Sequence, residues 1–232
     1  MDMTPHIPAL ARSREQVQGL MAQTTTIACF GSRALLSLFI CAAPEPAQLL
    51  AAVTTEEEAL QQLLRHRPGF LFVTEQLEAG DGLSLVRRAH AMQPELRTLL
   101  ILQSGSPERL QLALDLGCNG VVVEQQLAKG AMVEAIRAVI GGGIYADQPA
   151  VQALRASRRG DGPEPLEALT SREREVLSLL TQGCTNREIA ETLIVSSETV
   201  KTHLGNILSK LHARDRTHAA VIGLRRGLVA AS

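Results

Sequence analysis

Tryptophan is absent from this 232-residue chain, tyrosine occurs once, at Tyr145, and aromatic residues make up 2% of the whole. Cysteine is also scarce. Cys29, Cys41, Cys118 and Cys184 lie far apart, form no C-x-x-C pair and have no histidine three to five residues away. Neither a zinc site nor a disulfide framework is indicated, so the four read as small core residues and no metal or cofactor is expected. No charge of one sign dominates, with 23 Lys and Arg against 24 Asp and Glu and a net of −1. This excludes a disordered acidic or basic tail and a globally cationic nucleic-acid coat, though not a local basic surface. No run is long enough to span a membrane: the most apolar stretch, Ile27 to Ala43, is short and carries Arg33. The start, MDMTPHIPALARSREQ, lacks the cationic end and apolar run of a signal peptide, so a cytoplasmic protein is expected. A P-loop, a G-x-S-x-G elbow and a metal-ligand cluster are all missing, and an enzyme is not expected.

What is present is patterned. The length suggests one large domain or two small ones. Thr26 to Phe30, Gln48 to Val53, Phe70 to Val73, Leu99 to Leu102 and Val121 to Val123 are strand-sized apolar runs. Between them Arg33 to Ile40, Thr55 to His66, Leu83 to Met92, Pro107 to Leu116 and Ala128 to Ile140 carry helix-spaced apolar residues. Five strands alternating with five helices predict an α/β domain over residues 25–148, a doubly wound five-stranded parallel sheet covered on both faces. Thr55 with Glu58 forms a capping-box pattern, and Gly80-Asp81-Gly82 breaks the chain before the third helix. The second strand is ambiguous, since Ala-Gln-Leu-Leu-Ala-Ala-Val also suits a helix. Residues 1–24 read as an extension with one short helix from Ser13.

Over residues 149–165 the periodicity fades, and Arg155-Ala-Ser-Arg-Arg-Gly-Asp-Gly-Pro-Glu-Pro165 has the composition of an exposed linker. Residues 166–232 then form a small all-α unit. From Pro165 onward nine Lys and Arg face seven Asp and Glu, a net of +2, against −3 for the rest. Thr170-Ser-Arg-Glu173 and Thr185-Asn-Arg-Glu188 are capping boxes opening the first two helices. A third helix starts near Ser196 and runs through Leu211, and Asp215 caps a fourth that continues to about Arg226. The tight turn at Ile194-Val195 joins the second and third as a helix-turn-helix.

At about 100° per residue, Val200, Leu204, Ile207, Leu208 and Leu211 share one arc of the third helix, the stripe of an amphipathic helix. Glu198, Thr202, Gly205 and Ser209 lie opposite, with Lys201 at the edge, where its stem can rest on apolar surface. Thr199, His203, Asn206 and Lys210 run along the other flank and can all donate a hydrogen bond. Such a helix can enter a major groove closely while its flank meets phosphates, although a solvated face on an ordinary bundle has the same pattern.

The residues Leu169-Thr-Ser-Arg-Glu-Arg-Glu-Val-Leu177, Gly183-Cys-Thr-Asn-Arg-Glu-Ile-Ala190 and Val195-Ser-Ser-Glu-Thr-Val-Lys-Thr-His-Leu-Gly-Asn-Ile-Leu-Ser-Lys-Leu211 closely resemble the LuxR-type helix-turn-helix, as does Arg214-Asp-Arg-Thr217. The resemblance implies a DNA-binding transcriptional regulator. It makes Lys201 and Thr202 the groove-facing pair and Thr199, Asn206 and Lys210 backbone contacts, with Ser196, Ser197 and His203 in the same DNA-binding set. Gly205 departs from the relatives that carry a long base-reading side chain there. It is either a helix defect costing about 1 kcal/mol relative to Ala or a point of close approach.

LuxR-type modules occur with several sensor domains. An acyl-homoserine lactone pocket is typically lined by Trp and Tyr, which are nearly absent. Instead Arg67-Pro-Gly-Phe-Leu-Phe-Val73, Gly80-Asp-Gly82, Gly117-Cys-Asn-Gly120 and Ile140-Gly-Gly-Gly-Ile-Tyr145 resemble the receiver domain of NarL/FixJ response regulators. The resemblance implies a phosphoacceptor aspartate ending the third strand, Mg²⁺-binding acids after the first, a switch Ser or Thr after the fourth and a lysine after the fifth. Here those positions read Thr74, Gly31 and Ser32, Gln103 and Glu124. Mg²⁺ requires hard anionic ligands and the acceptor a carboxylate, so the reading is a pseudo-receiver independent of aspartyl phosphorylation. Aligning Glu75 with the acceptor would require a slipped strand register. The expected partners are promoter half-sites in double-stranded DNA, a second copy in a homodimer, and a protein partner or RNA polymerase, with no membrane. The competing reading is an interaction adaptor whose pseudo-receiver docks a partner, with DNA binding secondary.

Overall fold

The computed structural model describes residues 7–42, 48–127, 129–147, 169–213, 215–225 and 228–229. Strands β1 (Thr26–Cys29), β2 (Leu49–Val53), β3 (Phe70–Thr74), β4 (Arg97–Leu102), β5 (Gly120–Val123) and β6 (Tyr145–Ala146) form one sheet in the order β2-β1-β3-β4-β5-β6. Every pairing is parallel. The sheet has six strands rather than the five expected. The sixth is a two-residue edge strand on β5, too short to show any periodicity. The ambiguous second run is a strand, paired along β1 from Thr26↔Leu49 to Cys29↔Val53.

Helices α1 (Ile7–Met21), α2 (Arg33–Ala42), α3 (Glu56–His66), α4 (Gly82–Met92), α5 (Pro107–Asp115), α6 (Glu124–Leu127) and α7 (Ala131–Ile140) surround the sheet. The Thr55 side chain accepts from the Glu58 amide, and Asp81 accepts from those of Leu83 and Ser84, so the local signals in the sequence do cap α3 and α4. The helix expected over Ala128 to Ile140 begins later, as α7 at Ala131, because Gly130 at φ 90° turns the chain left-handed just before it, and the short α6 ahead of that turn was not expected. The amino-terminal helix begins at Ile7, upstream of the expected Ser13.

Alternate strand residues feed two cores. Ile27, Cys29, Leu71, Val73, Leu100 and Leu102 pack with α3, α4 and α5, whereas Ala28, Phe30, Phe70, Phe72, Leu99 and Ile101 pack with α1, α2 and α7. The linker expected over residues 149–165 lies outside the described residues. Beyond it, α8 (Ser171–Thr181), α9 (Asn186–Leu193), α10 (Ser197–Leu211) and α11 (Arg216–Arg225) form the helical domain. The first core continues into it through Val176, Leu177, Leu180, Ile207 and Ala219. Among the described residues the domains meet where α11 lies on α5 and where the glycines after α7 lie against Gly183 and Thr185. No helix among the described residues is long and apolar enough to cross a membrane.

Candidate functional site

The helical domain is built from its caps. Thr170 with Glu173 and Thr185 with Glu188 form complete capping boxes, each side chain meeting the other's backbone. Ile194 ends α9 in the left-handed region at φ 54°, and Ser196 caps α10 by accepting from the Thr199 amide. The chain therefore reverses in a tight turn, and α10 starts at a fixed angle to α9. Val200, Leu204, Ile207 and Leu211 are buried, which fixes the rotation of α10 about its axis.

That rotation leaves Ser196, Ser197, Thr199, Lys201, Thr202, Gly205 and Asn206 exposed and His203 half-buried. A Cβ added at Gly205 would meet nothing within 4 Å. The Lys201 ammonium lies 3.0 Å from Glu198, and the Thr202 hydroxyl donates to the Glu198 carbonyl at 3.1 Å. Lys210 is placed differently from the rest: its ammonium donates to the buried Glu173 at 2.8 Å, tying α10 to the start of α8. Burial alone would raise the Glu173 pKa, but the Lys210 ammonium and the Thr170 amide and hydroxyl outweigh it and hold the carboxyl below its ordinary value. Nothing in the local sequence marks Glu173 as more than a capping residue, since its partner stands 37 residues away.

At the carboxyl ends of the strands, the parallel order reverses direction between β1 and β3, the place where doubly wound sheets bind ligands. The positions predicted for the phosphorylation pocket do meet here in part. Gly31 donates its amide to the Thr74 hydroxyl at 3.0 Å, and that hydroxyl donates to the Gln76 carbonyl at 2.8 Å. A Cβ at Gly31 would run into the Gln76 carbonyl, so the loop after β3 occupies the space an acid at this position would need. The Ser32 hydroxyl accepts from the Leu35 amide at 3.3 Å, and Glu124 is exposed at the start of α6. Above them Arg33 makes two bonds to Glu78, which also accepts from Thr54.

These residues do not fit Mg²⁺, because no carboxylate stands at Gly31 or Ser32 and the described residues hold no cluster of three His, Cys, Asp or Glu suited to a metal. Thr74 pairs with Ile101 in regular register, so Glu75 faces the opposite side of the sheet, towards α5. There its buried carboxylate takes the Arg109 guanidinium at 2.5 Å and the Gln103 amide at 3.0 Å, and Arg109 also reaches Asp81 at 3.4 Å. The hydrogen bond to Glu75 leads the effects that raise the Arg109 pKa. The Gln103 side chain donates to Gln76 at 3.1 Å. Sequence reasoning missed Arg109 altogether, because only the fold brings α5 over the end of β3. Burial pushes the thiols of Cys29 and Cys118 up to about 12, in keeping with inert core residues, whereas Cys41 is exposed on α2 and Cys184 is half-buried, so the expectation of four core cysteines holds for two.

Comparison with known proteins agrees with this architecture. The model of bacterial regulatory proteins of the luxR family matches residues 167–222. The chain is 34% identical over 167 residues to the DNA-binding transcriptional activator DevR/DosR of Mycobacterium tuberculosis, covering 71% of this chain and 76% of that one. It is 32% identical over 176 residues to the transcriptional activator protein ExaE of Pseudomonas putida, covering 75% and 82%. Among solved structures, the response regulator RcsB in complex with DNA superposes with a TM-score of 0.51 at 18% identity, covering 86% of this chain and 96% of that one, a likeness of fold. A capped helix-turn-helix behind a parallel α/β domain, together with these matches, places the chain in the NarL/FixJ-type response regulators, a family of transcriptional regulators carrying a LuxR-type helix-turn-helix.

Proposed function

We propose that the chain is a sequence-specific DNA-binding transcriptional regulator that reads DNA through α10 and works without aspartyl phosphorylation. The observation that carries the reading is the outer face of α10. Lys201, Thr202, Gly205 and Asn206 stand exposed on a helix whose other side is locked in the core. Lys201 and Thr202 are assigned to base edges, Gly205 to close approach, and Ser196, Ser197, Thr199, His203 and Asn206 to the backbone, while Lys210, engaged by the buried Glu173, holds α10 against α8 instead of meeting phosphate. Lys201 supplies the cation, and DNA phosphates compete with Glu198 for it. A dimer would set two such helices about 34–36 Å apart, one turn of DNA. The exposed apolar residues Leu35, Leu38 and Ile40 on α2 favour a partnered surface.

Support for independence from phosphorylation comes from the strand ends. The Thr74 hydroxyl is engaged on both sides, the Gln76 carbonyl stands where an acid at Gly31 would be, and Glu75 is already paired. In a gel-shift titration at moderate salt, Lys201→Ala weakens binding to a target promoter by about tenfold or more. Wild-type affinity in that variant would show that α10 is not the reading helix. Incubation with acetyl phosphate and Mg²⁺ leaves DNA affinity unchanged and yields no base-labile phosphoprotein; appearance of such a species would overturn the second half of the reading.

A further inference from the structure

Packing anchors the end of α9 poorly. Of its eight residues only Ile189 and Ala190 are buried; Leu193 is half-buried, and Glu191, Thr192 and the capping Ile194 are exposed. The turn supplies two bonds of its own, with the amides of Ile194 and Val195 donating to the carbonyls of Glu191 and Ala190 at 3.4 and 3.0 Å. The Leu193 carbonyl, one of the acceptors a helix end leaves over, is met from another element. The Arg172 guanidinium, on α8, donates to it at 2.6 Å across 21 positions of sequence.

The place of Arg172 is informative. It is the second residue of α8, where a cation faces the positive end of its own helix dipole and an acid would be favoured. Against the carboxyl end of α9 the same charge is well placed. Its other bond, to Glu175 at 2.7 Å, is an ordinary surface pair three residues on and contributes little. The neighbouring Glu173 takes Lys210 of α10. Two consecutive residues of α8 thus hold both helices of the helix-turn-helix, Arg172 the end of α9 and Glu173 the far part of α10. The buried stripe of α10 starts only at Val200, so Ser196, Ser197 and Thr199 take their position from the turn that Arg172 braces.

We propose that Arg172 is a positioning residue for DNA reading: by holding the Leu193 carbonyl it sets where the first turn of α10 meets the duplex, without touching DNA itself. This rests on α10 being the reading helix, and Lys201→Ala tests that premise separately.

The probe is a duplex that the wild-type chain selects from a randomised pool, titrated with the full chain over a series of salt concentrations. Arg172→Gln weakens binding about fivefold, the worth of one hydrogen bond. Its plot of log affinity against log salt runs parallel to that of wild type, whereas loss of a phosphate contact would lower the slope by about one. Arg172→Lys, which keeps a donor and the charge, recovers most of the affinity. In hydrogen exchange of the DNA-free chain, Arg172→Gln speeds the amides of Ile194 and Val195 and leaves those of α8 unchanged. Wild-type affinity in Arg172→Gln alongside a weakened Lys201→Ala, a slope reduced by about one, or unchanged exchange at the turn would each overturn the positioning role. Failure to select any duplex, or wild-type affinity in Lys201→Ala, would instead remove α10 as the reading helix and the inference with it.

Discussion

Ile194 and Gly205 of the helical domain both carry backbone costs. Ile194 is β-branched, holds φ 54° and is 91% exposed, so its side chain gains no packing for a conformation that L-residues avoid. Ile194→Asn is expected to stabilise the chain by about 1 kcal/mol, measured as a rise of about 2–4 °C in the thermal midpoint. Gly205 is the second. It lies in the interior of α10 with open space where a Cβ would be, so Gly205→Ala raises stability by about 1 kcal/mol on helix propensity alone. The same variant discriminates between the two readings of the glycine. If the bare backbone approaches the duplex closely, the added methyl weakens promoter binding while the midpoint rises; equal binding would mark Gly205 as a plain helix defect.

Between elements, the bond from Lys210 to Glu173 makes part of the chain's stability depend on pH. Because the Glu173 carboxyl is held below its ordinary value in the folded chain, its contribution is complete above the unfolded value, about 4.3, and disappears as the pH falls through the lower, folded one. Glu173→Gln is therefore expected to be less stable than wild type by roughly 1–2 kcal/mol at neutral pH, with the gap closing on acidification. Urea unfolding at a series of pH values reads this directly, and a gap that persists below the carboxylate range would dismiss the ion pair as its source. Such pairs are also where the sequence is hardest to read. Strands, helices and capping boxes were legible because period and cap chemistry are local, as at Thr170 with Glu173 and at Ile27 to Cys29. Lys210 with Glu173 and Arg109 with Glu75 join residues 37 and 34 positions apart, and no local pattern announces them. The two-residue β6 and the break at Gly130 escaped for the opposite reason, being shorter than any period. The outer face of α10 was legible because five apolar residues fix its rotation.

Across the molecule, the two domains share a core and meet through glycine. A Cβ at Gly143 would strike the Gly183 carbonyl and stand 2.9 Å from the Ala138 oxygen, while one at Gly183 would stand 2.6 Å from the Ile144 oxygen. Backbone meets backbone at this junction, and no rotamer change can relieve an added methyl, whereas at Gly141 the obstacle is the Thr185 side chain, which its capping box holds in place. The first hydrophobic core runs without interruption from the α3, α4 and α5 face into α8, α10 and α11, so the intact chain is expected to unfold in one transition. Gly143→Ala should uncouple the halves: the radius of gyration from small-angle scattering rises, and the thermal transition splits in two. Gly19→Ala, on α1 with no atom within 4 Å of the new Cβ, serves as the control and leaves both unchanged. A Gly143→Ala chain that keeps the wild-type radius and a single transition would mean that the domains are held by α5 and α11 alone, with the glycine junction contributing nothing.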